Sequence, residues 1–233
     1  IGQSTLKMKS AKYIFENLKN YLTKNNKINN QWNSLNIISN NASTVGSYDL
    51  DLLSGSGAEN PTLEKIIKNQ FEVIFLFGQD NLNFKKENEF IIYIGSHGDE
   101  GAKLADIILP GASFAEQDGH YTNLEGKIQK AYQGSYPPGQ AKEDWEIIND
   151  LSELLKRKKL FKHKSELVDS MMNYLKLNKR ENNIIEKDVS FVSEKITVDP
   201  IDYYFSNVIA RASKTMFECR REKIKIEKTG TEG

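Results

Sequence analysis

Cysteine is almost absent from this sequence, with Cys219 the single one among 233 residues. A disulfide joins two thiols and an iron–sulfur cluster usually takes about four, so this chain can form neither by itself. A single cysteine also fits a reducing compartment. Long hydrophobic runs are missing too, because no stretch approaches the roughly 20 apolar residues that span a bilayer. We therefore expect no membrane span.

An excess of charge of one sign is also missing. The 32 Lys and Arg residues balance the 32 Asp and Glu residues, for a formal net charge of +0. A nucleic-acid surface needs a basic excess to neutralise phosphates, so we expect no nucleic-acid partner. A neutral chain is poorly protected against association, which favours a place in a protein assembly.

Three short apolar runs indicate the fold class. They cover residues 71–77, 90–94 and 106–110, and a weaker strand candidate lies at 35–39. Nearly continuous apolar runs of this length are typical of strands covered on both faces of a parallel sheet. Because strands and helices alternate, residues 1 to about 110 predict an open, mostly parallel α/β fold.

Helical patterns frame this sheet. The sequence predicts helices after a Ser10 cap, from Pro61, over residues 142–158 and over 167–175, and a hairpin or irregular segment over 120–131. A last helix is predicted with one apolar face made of Phe205, Ile209, Ala212, Met216 and Cys219. We expect an α/β domain over residues 1–160 and a helical C-terminal extension over 161–233.

Two glycine-rich stretches could bind an anion. Residues 55–57 neither follow a strand nor have dinucleotide-binding spacing, so they are interpreted as a loop. Residues 95–101 (GSHGDEG) follow a strand and open a helix, where exposed amides can bind an anion. The alternative, which we favour, is a tight strand-to-helix connection that needs flexible backbone.

Isolated reactive side chains do not form a predicted site. His97, His120 and His163 lack metal-ligand spacing and are expected in surface or capping roles. Cys219 is predicted to be a buried, inert thiol, and Trp145 to anchor the core.

Three carboxylates lie among turn signals. Glu116, Asp118 and Glu125 are expected to stabilise turns and not to act as a catalytic pair. The residues therefore predict no catalytic, cofactor-binding or metal-binding site in this chain.

One ordered set of residues resembles the molybdopterin oxidoreductase superfamily. It comprises residues 105–111 (ADIILPG), Glu116, Gly119, Tyr121, Asn123, Glu125, Gly126, and residues 138–139, 141, 143–145 and 151–153. Within that superfamily, residues 75–80, 91–93, 97–99 and 101–102 resemble the large iron–sulfur subunit (75-kilodalton type) of respiratory complex I. Residues 210–216 (ARASKTM) resemble its mitochondrial version.

This resemblance implies a structural, redox-inactive role in electron transfer from NADH to ubiquinone. That family carries its cluster-binding cysteines in an N-terminal region, so no cofactor is expected in this chain and iron–sulfur clusters are expected on a partner chain. Other subunits of the peripheral arm are the implied partners, on the matrix side of the mitochondrial inner membrane. Lys127 stands where the family usually has Arg, and an ammonium cannot replace a bidentate guanidinium in binding an anion.

Two alternatives stay open on the sequence. One is a C-terminal fragment of a catalytic molybdopterin oxidoreductase, and the other is a free-standing nucleotide-binding module that uses residues 95–101. We also expect a split subunit, because Ile1 and Gly2 resemble the end of a strand in the family's sheet. The remaining sheet and the clusters would then lie on a second, cysteine-rich chain.

Overall fold

The fold comes from a computed structural model that describes residues 1–52, 65–79, 84–177, 190–195 and 202–229. Two units alternate along the chain. The hairpin unit comprises Ile1–Leu53, His120–Lys130 and Val168–Pro200, and the sheet unit comprises Ser54–Gly119, Ala131–Leu167 and Ile201–Gly233. The predicted domain boundary at residue 160 divides the chain in another way and stays a prediction. The glycines at 55–57 and the start of the helix predicted from Pro61 lie outside the described residues.

The described elements are short. The helices are α1 (Gln3–Leu6), α2 (Ala11–Lys24), α3 (Thr44–Asp49), α4 (Glu100–Leu104), α5 (Asp144–Leu154), α6 (Lys164–Leu177), α7 (Val208–Ala212) and α8 (Lys214–Thr229). The strands are β1 (Val73–Phe77), β2 (Phe90–Gly95), β3 (Ile107–Pro110), β4 (Gly119–Thr122) and β5 (Ile128–Ala131). Among the described helices, none combines the length and the apolar character needed to cross a membrane.

Strands β1, β2 and β3 form a parallel sheet in that order. Val73 pairs with Phe90 and Ile92 pairs with Ile107, so residues with the same side-chain direction line up across the sheet. One face is the core, where Ile91 is buried completely. The parallel sheet with its helices confirms the predicted α/β class.

The core continues into the segments that connect these strands. Phe84 lies between β1 and β2 and belongs to the buried cluster. Ala102 and Leu104 of α4, with Ala105 after it, pack against the same cluster from the connection between β2 and β3. Both connections therefore cover one face of the sheet over β1 and β2, whereas Ile108 of β3 on this same face is 57% exposed.

Helix α5 is shorter than the predicted helix over 142–158. It begins with a capping box in which Glu143 and Glu146 satisfy each other's backbone N–H groups. It ends at Leu154, and Lys156 follows with a left-handed φ of 57° that stops the helix.

The apolar face of α5 also differs from the predicted one. Helical spacing in the sequence predicts an apolar stripe of Trp145, Ile148, Leu151 and Leu155. In the structure Ile147 is buried, whereas Ile148 and Leu155 are exposed. Asn149 is buried as well, and its amide binds the backbone of Leu160 and Phe161 after the helix. This capping of the following turn explains a buried polar residue on the inner face. Trp145 is only partly buried.

The predicted single C-terminal helix is wrong. The chain forms a 3-10 turn (Tyr203–Phe205), then α7, then α8. Asn207 accepts a hydrogen bond from Ala210 N at 2.9 Å and Ser213 Oγ accepts one from Met216 N at 3.4 Å. These side chains begin two separate helices, and Ser213 is in an extended conformation between them.

The expected Ser10 cap of α2 is also corrected. Helix α2 does begin at Ala11, but the Ser10 side chain makes no cap hydrogen bond. Its hydroxyl donates to Val192 O and accepts from Val192 N, both at 2.8 Å. Ser10 is fully buried because it joins two segments of the hairpin unit.

No strand forms at residues 35–39. The segment is extended, and Ile1 N donates to Asn36 O at 2.7 Å while Ile38 N donates to Ile1 O at 2.8 Å. This is the bonding of one parallel residue pair, between Ile1 and Ile37. One pair does not make a ladder, so the predicted strand is wrong as a regular element.

Strands β4 and β5 form the predicted hairpin of the hairpin unit.

Candidate functional site

The carboxyl ends of the three parallel strands meet at one edge of the sheet. Gly78 N donates to Ile94 O at 2.7 Å, and Gly111 N donates to Gly95 O at 3.1 Å. Open α/β sheets bind their ligands beyond this edge, so it is the natural candidate site. The glycine-rich residues 95–101 leave the sheet there.

The glycines of this connection are explained by close packing. A Cβ atom on Gly95 would lie 2.7 Å from the Tyr93 hydroxyl, and one on Gly98 would lie 2.7 Å from the Ala102 Cβ. A Cβ on the buried Gly101 would collide with the carbonyl oxygen of Gln79. Neighbouring protein atoms fill the space that a side chain would need at these glycines. The favoured interpretation, a tight connection, is the one these contacts support.

The buried Tyr93 side chain positions the glycine-rich connection of residues 95–101. It is 1% exposed, and its hydroxyl donates to the backbone oxygen of His97 at 2.5 Å. A buried phenol needs such a partner, because an unpaired hydroxyl in the core is costly. His97 is further positioned by a contact of 3.0 Å between its Nδ1 and Ser96 Oγ.

The charges at this edge are mostly paired acids. Asp99 precedes α4 and lies 3.4 Å from Arg211 Nε and 3.9 Å from Lys103 Nζ. Glu100 contacts Lys103 Nζ at 2.5 Å, and this pair raises the pKa of Lys103. Two carboxylates at the start of a five-residue helix disfavour a bound anion, because they repel it and occupy the nearby cations.

The side chains of the three histidines and of Cys219 do not form a metal site. Among the described residues, no group of three His, Cys, Asp or Glu side chains is placed to hold a metal ion. Cys219 is exposed on α8, so the predicted burial of its thiol is wrong. The reason is the break at Ser213, which turns α8 away from the face assumed for one continuous helix.

One of the three carboxylates near the hairpin, Glu116, makes the expected local turn contact, whereas Asp118 makes a long-range one. Glu116 Oε2 accepts from Ser113 N at 2.9 Å, and Asp118 Oδ1 accepts from Gln133 N at 2.8 Å. The β4–β5 turn itself depends on Asn123, whose Oδ1 accepts from the backbone of both Glu125 and Lys127. Lys127 is exposed at this turn, and its role toward an anion stays a prediction.

One polar cluster of the sheet unit could not be recognised from the sequence. Lys164 forms an ion pair with Glu143 and donates to the Asp118 backbone oxygen at 3.0 Å. Glu143 also accepts from Trp145 Nε1 at 3.0 Å. Only 28% of the Lys164 side chain and 17% of the Glu143 side chain are exposed. These contacts hold the start of α5, and no local pattern marks Lys164 as their centre.

The sheet unit therefore defines an α/β protein with a tightly packed, acid-lined edge. Residues 1–154 match the family model described as molybdopterin oxidoreductase, so the chain belongs to the molybdopterin oxidoreductase family. Residues 180–219 match the model described as the C-terminal part of the G-type subunit of NADH-ubiquinone oxidoreductase. These matches confirm the resemblance predicted from the sequence.

Individual relatives agree with both family models. The chain is 35% identical to the NADH-ubiquinone oxidoreductase 75 kDa subunit of Reclinomonas americana over 94% of its own length and 33% of that protein. It is 32% identical to the 78 kDa mitochondrial subunit of Candida albicans, over 98% of this chain and 34% of the relative. It is 38% identical to the G-type subunit of NADH-quinone oxidoreductase from Rickettsia conorii, over 85% of this chain and 29% of the relative. The chain spans about a third of the length of these relatives.

The family name implies a molybdopterin cofactor, and the described residues do not fit one at the sheet edge. Atoms of Tyr93, Ala102 and Gln79 occupy the space above the glycines. Asp99 and Glu100 would face any phosphate of a pterin cofactor with negative charge. Protein atoms therefore fill the described part of this edge around the glycines.

Proposed function

We propose that this chain is a structural, redox-inactive part of the large iron–sulfur subunit of mitochondrial complex I. The observation that carries the proposal is the order of the two family models along one chain, with molybdopterin oxidoreductase over 1–154 followed by the C-terminal part of the NADH-ubiquinone oxidoreductase subunit over 180–219. The packed sheet edge supports it further, because this edge offers a scaffold and not a ligand cleft.

In this role the chain supports electron transfer from NADH to ubiquinone without carrying electrons. A cluster needs several thiolates, and Cys219 is the single cysteine of this chain. The clusters would lie on the polypeptide that corresponds to the part of the relatives outside this chain. Its partners would be peripheral-arm subunits on the matrix side of the inner membrane.

Isolation of the assembly through a tag on this chain tests the proposal. The expected result is a complex that oxidises NADH with ubiquinone, contains iron–sulfur clusters and includes this chain in stoichiometric amount. A chain recovered only with unrelated proteins, or with a molybdenum-dependent oxidoreductase activity, would contradict it. The second outcome would favour the alternative of a catalytic molybdopterin oxidoreductase.

A further inference from the structure

The second face of the three-stranded sheet is apolar and half exposed along β1, whereas Ile94 of β2 on this same face is 1% exposed. Along β1, Val73, Phe75 and Phe77 are 50%, 39% and 45% exposed, whereas Ile74 and Leu76 between them are 6% and 3% exposed. Parallel sheets are normally covered on both faces. We call the face of Val73, Phe75 and Phe77 the open face and the other the closed face.

The open face continues across the sheet and forms a groove beside α5. Phe90 pairs with Val73, and Ile107 pairs with Ile92 next to Phe75. Phe90 and Ile107 are 44% and 42% exposed. The groove has a volume of about 540 Å³ and its wall is mainly apolar, formed by Phe75, Ile92, Ile107, Leu109, Ile147, Leu151 and Leu154. At its rim, Lys142 and Asp150 neutralise each other at 2.6 Å.

The connections of this sheet cannot cover the open face. Connections between neighbouring parallel strands are right-handed. When two successive connections run in the same direction across the sheet, both therefore lie on the same face. Phe84 from the first connection and Leu104 from the second both pack on the closed face. A doubly wound sheet obtains its second layer from strands that continue in the other direction. Here that direction lies beyond β1, which is an edge strand among the described residues.

We propose that the open face binds an amphipathic helix from the cluster-bearing part of the large iron–sulfur subunit. The relatives are about three times as long as the segment matched here, so the part of them that this sequence does not match is long enough to supply a second layer. The paired rim charges leave an uncharged apolar wall, which fits a stripe of aliphatic and aromatic side chains. This inference rests on the proposed function and adds the surface that the partner covers.

A photoreactive phenylalanine at Phe77 tests the inference in the assembled complex. The matched control carries the same residue at Tyr136, an aromatic side chain of the sheet unit that is 86% exposed and does not belong to the sheet. Light should cross-link the Phe77 position to a peptide from the cluster-bearing part, identified by mass spectrometry. The yield should be at least tenfold above that of the control.

The possible results separate the two proposals. A complex that contains this chain and the clusters, but in which Phe77 links to a second copy, to another subunit, to this chain itself or to nothing, overturns the inference alone. A chain that never assembles with the cluster-bearing part overturns the proposed function. As a second variant, Phe77→Asp should lower the incorporation of this chain into the complex at least tenfold, whereas Tyr136→Asp, at an exposed position outside the sheet, should leave it unchanged. Normal incorporation would also overturn the inference.

Discussion

The two faces of the β1–β2–β3 sheet differ although their sequences look alike. On the closed face, Ile91 and Tyr93 are buried almost completely by connections within the chain. On the open face, Phe75 and Ile107 keep about two-fifths of their surface exposed. The chain thus covers one side of β1 and β2 by itself, and the other side is the surface that we propose binds a partner helix. A fold can be well determined locally and still be part of a larger unit.

The largest expected difference between the faces is in the cost of removing side-chain volume. Ile91→Ala, at a fully buried position, should destabilise the isolated chain by about 2–5 kcal/mol. Ile107→Ala, at an exposed position on the open face, should cost about 1 kcal/mol or less. Denaturant titration followed by circular dichroism measures both. Equal losses would show that the open face is covered within the isolated chain.

The next largest effect on stability is expected at the glycine-rich connection of residues 95–101, at the carboxyl edge of the sheet. Gly101→Ala places a Cβ against the Gln79 carbonyl and should destabilise by about 1–3 kcal/mol. Gly134→Ala is the control, because its Cβ meets nothing closer than Ala115 O at 3.7 Å, and it should change stability by no more than about 0.5 kcal/mol. A neutral Gly101→Ala variant would mean that the connection has room for a side chain at this position.

A smaller effect is expected for the ion pair that holds α5 beside the open face. Lys164→Met leaves Glu143 partly buried without its cation and should cost about 1–2 kcal/mol. Lys159→Met removes a pair with Glu153 at 3.3 Å that is half exposed, and should cost no more than about 0.5 kcal/mol. Thermal melting of both variants measures the difference. If the two losses were the same, Lys164 would be an ordinary surface cation.

The smallest effect is a pH dependence at the start of β3. The Ile91 N–H and the Lys86 ammonium, 2.8 and 2.6 Å from the Asp106 carboxylate, lower the pKa of Asp106 below its ordinary value of 3.8. A lowered folded pKa adds stability above the unfolded pKa that is lost as pH falls through the folded one. Stability should therefore decline with acid below about pH 4.

Variants assign this pH dependence. Asp106→Asn should flatten the acid part of the stability curve, and Lys86→Met should have an intermediate effect because the Ile91 hydrogen bond remains. Unfolding measured at several pH values between about 3 and 6 gives the curves. An unchanged slope in Asp106→Asn would assign the acid sensitivity to other carboxylates.

The strands could be predicted because each one is a nearly continuous apolar run, and these three runs form β1, β2 and β3. The same feature conceals the difference between the two faces. Val73 and Ile74 look equally apolar in the sequence, but one is half exposed and the other is buried. Exposure depends on which elements cover each face, and this information is not in the strand itself.

Long-range polar contacts are also beyond sequence patterns. Ser10 has the position of a helix cap, but its hydroxyl binds Val192, 182 residues away. Lys164 has the sequence context of an ordinary surface cation and pairs with Glu143. In the C-terminal region, apolar spacing indicates one helix, and the capping side chains of Asn207 and Ser213 make two. Local hydrogen bonding decides against the longer periodic pattern there.

The metal content of the chain tests the central claim most directly. The chain should be produced alone in cells that make iron–sulfur and molybdenum cofactors, and compared with the assembly purified through the same tag. We predict blank paramagnetic resonance spectra and far less than one metal atom per isolated chain, beside cluster signals and abundant iron in the assembly. Stoichiometric iron, molybdenum or tungsten in the isolated chain would contradict a structural, redox-inactive role.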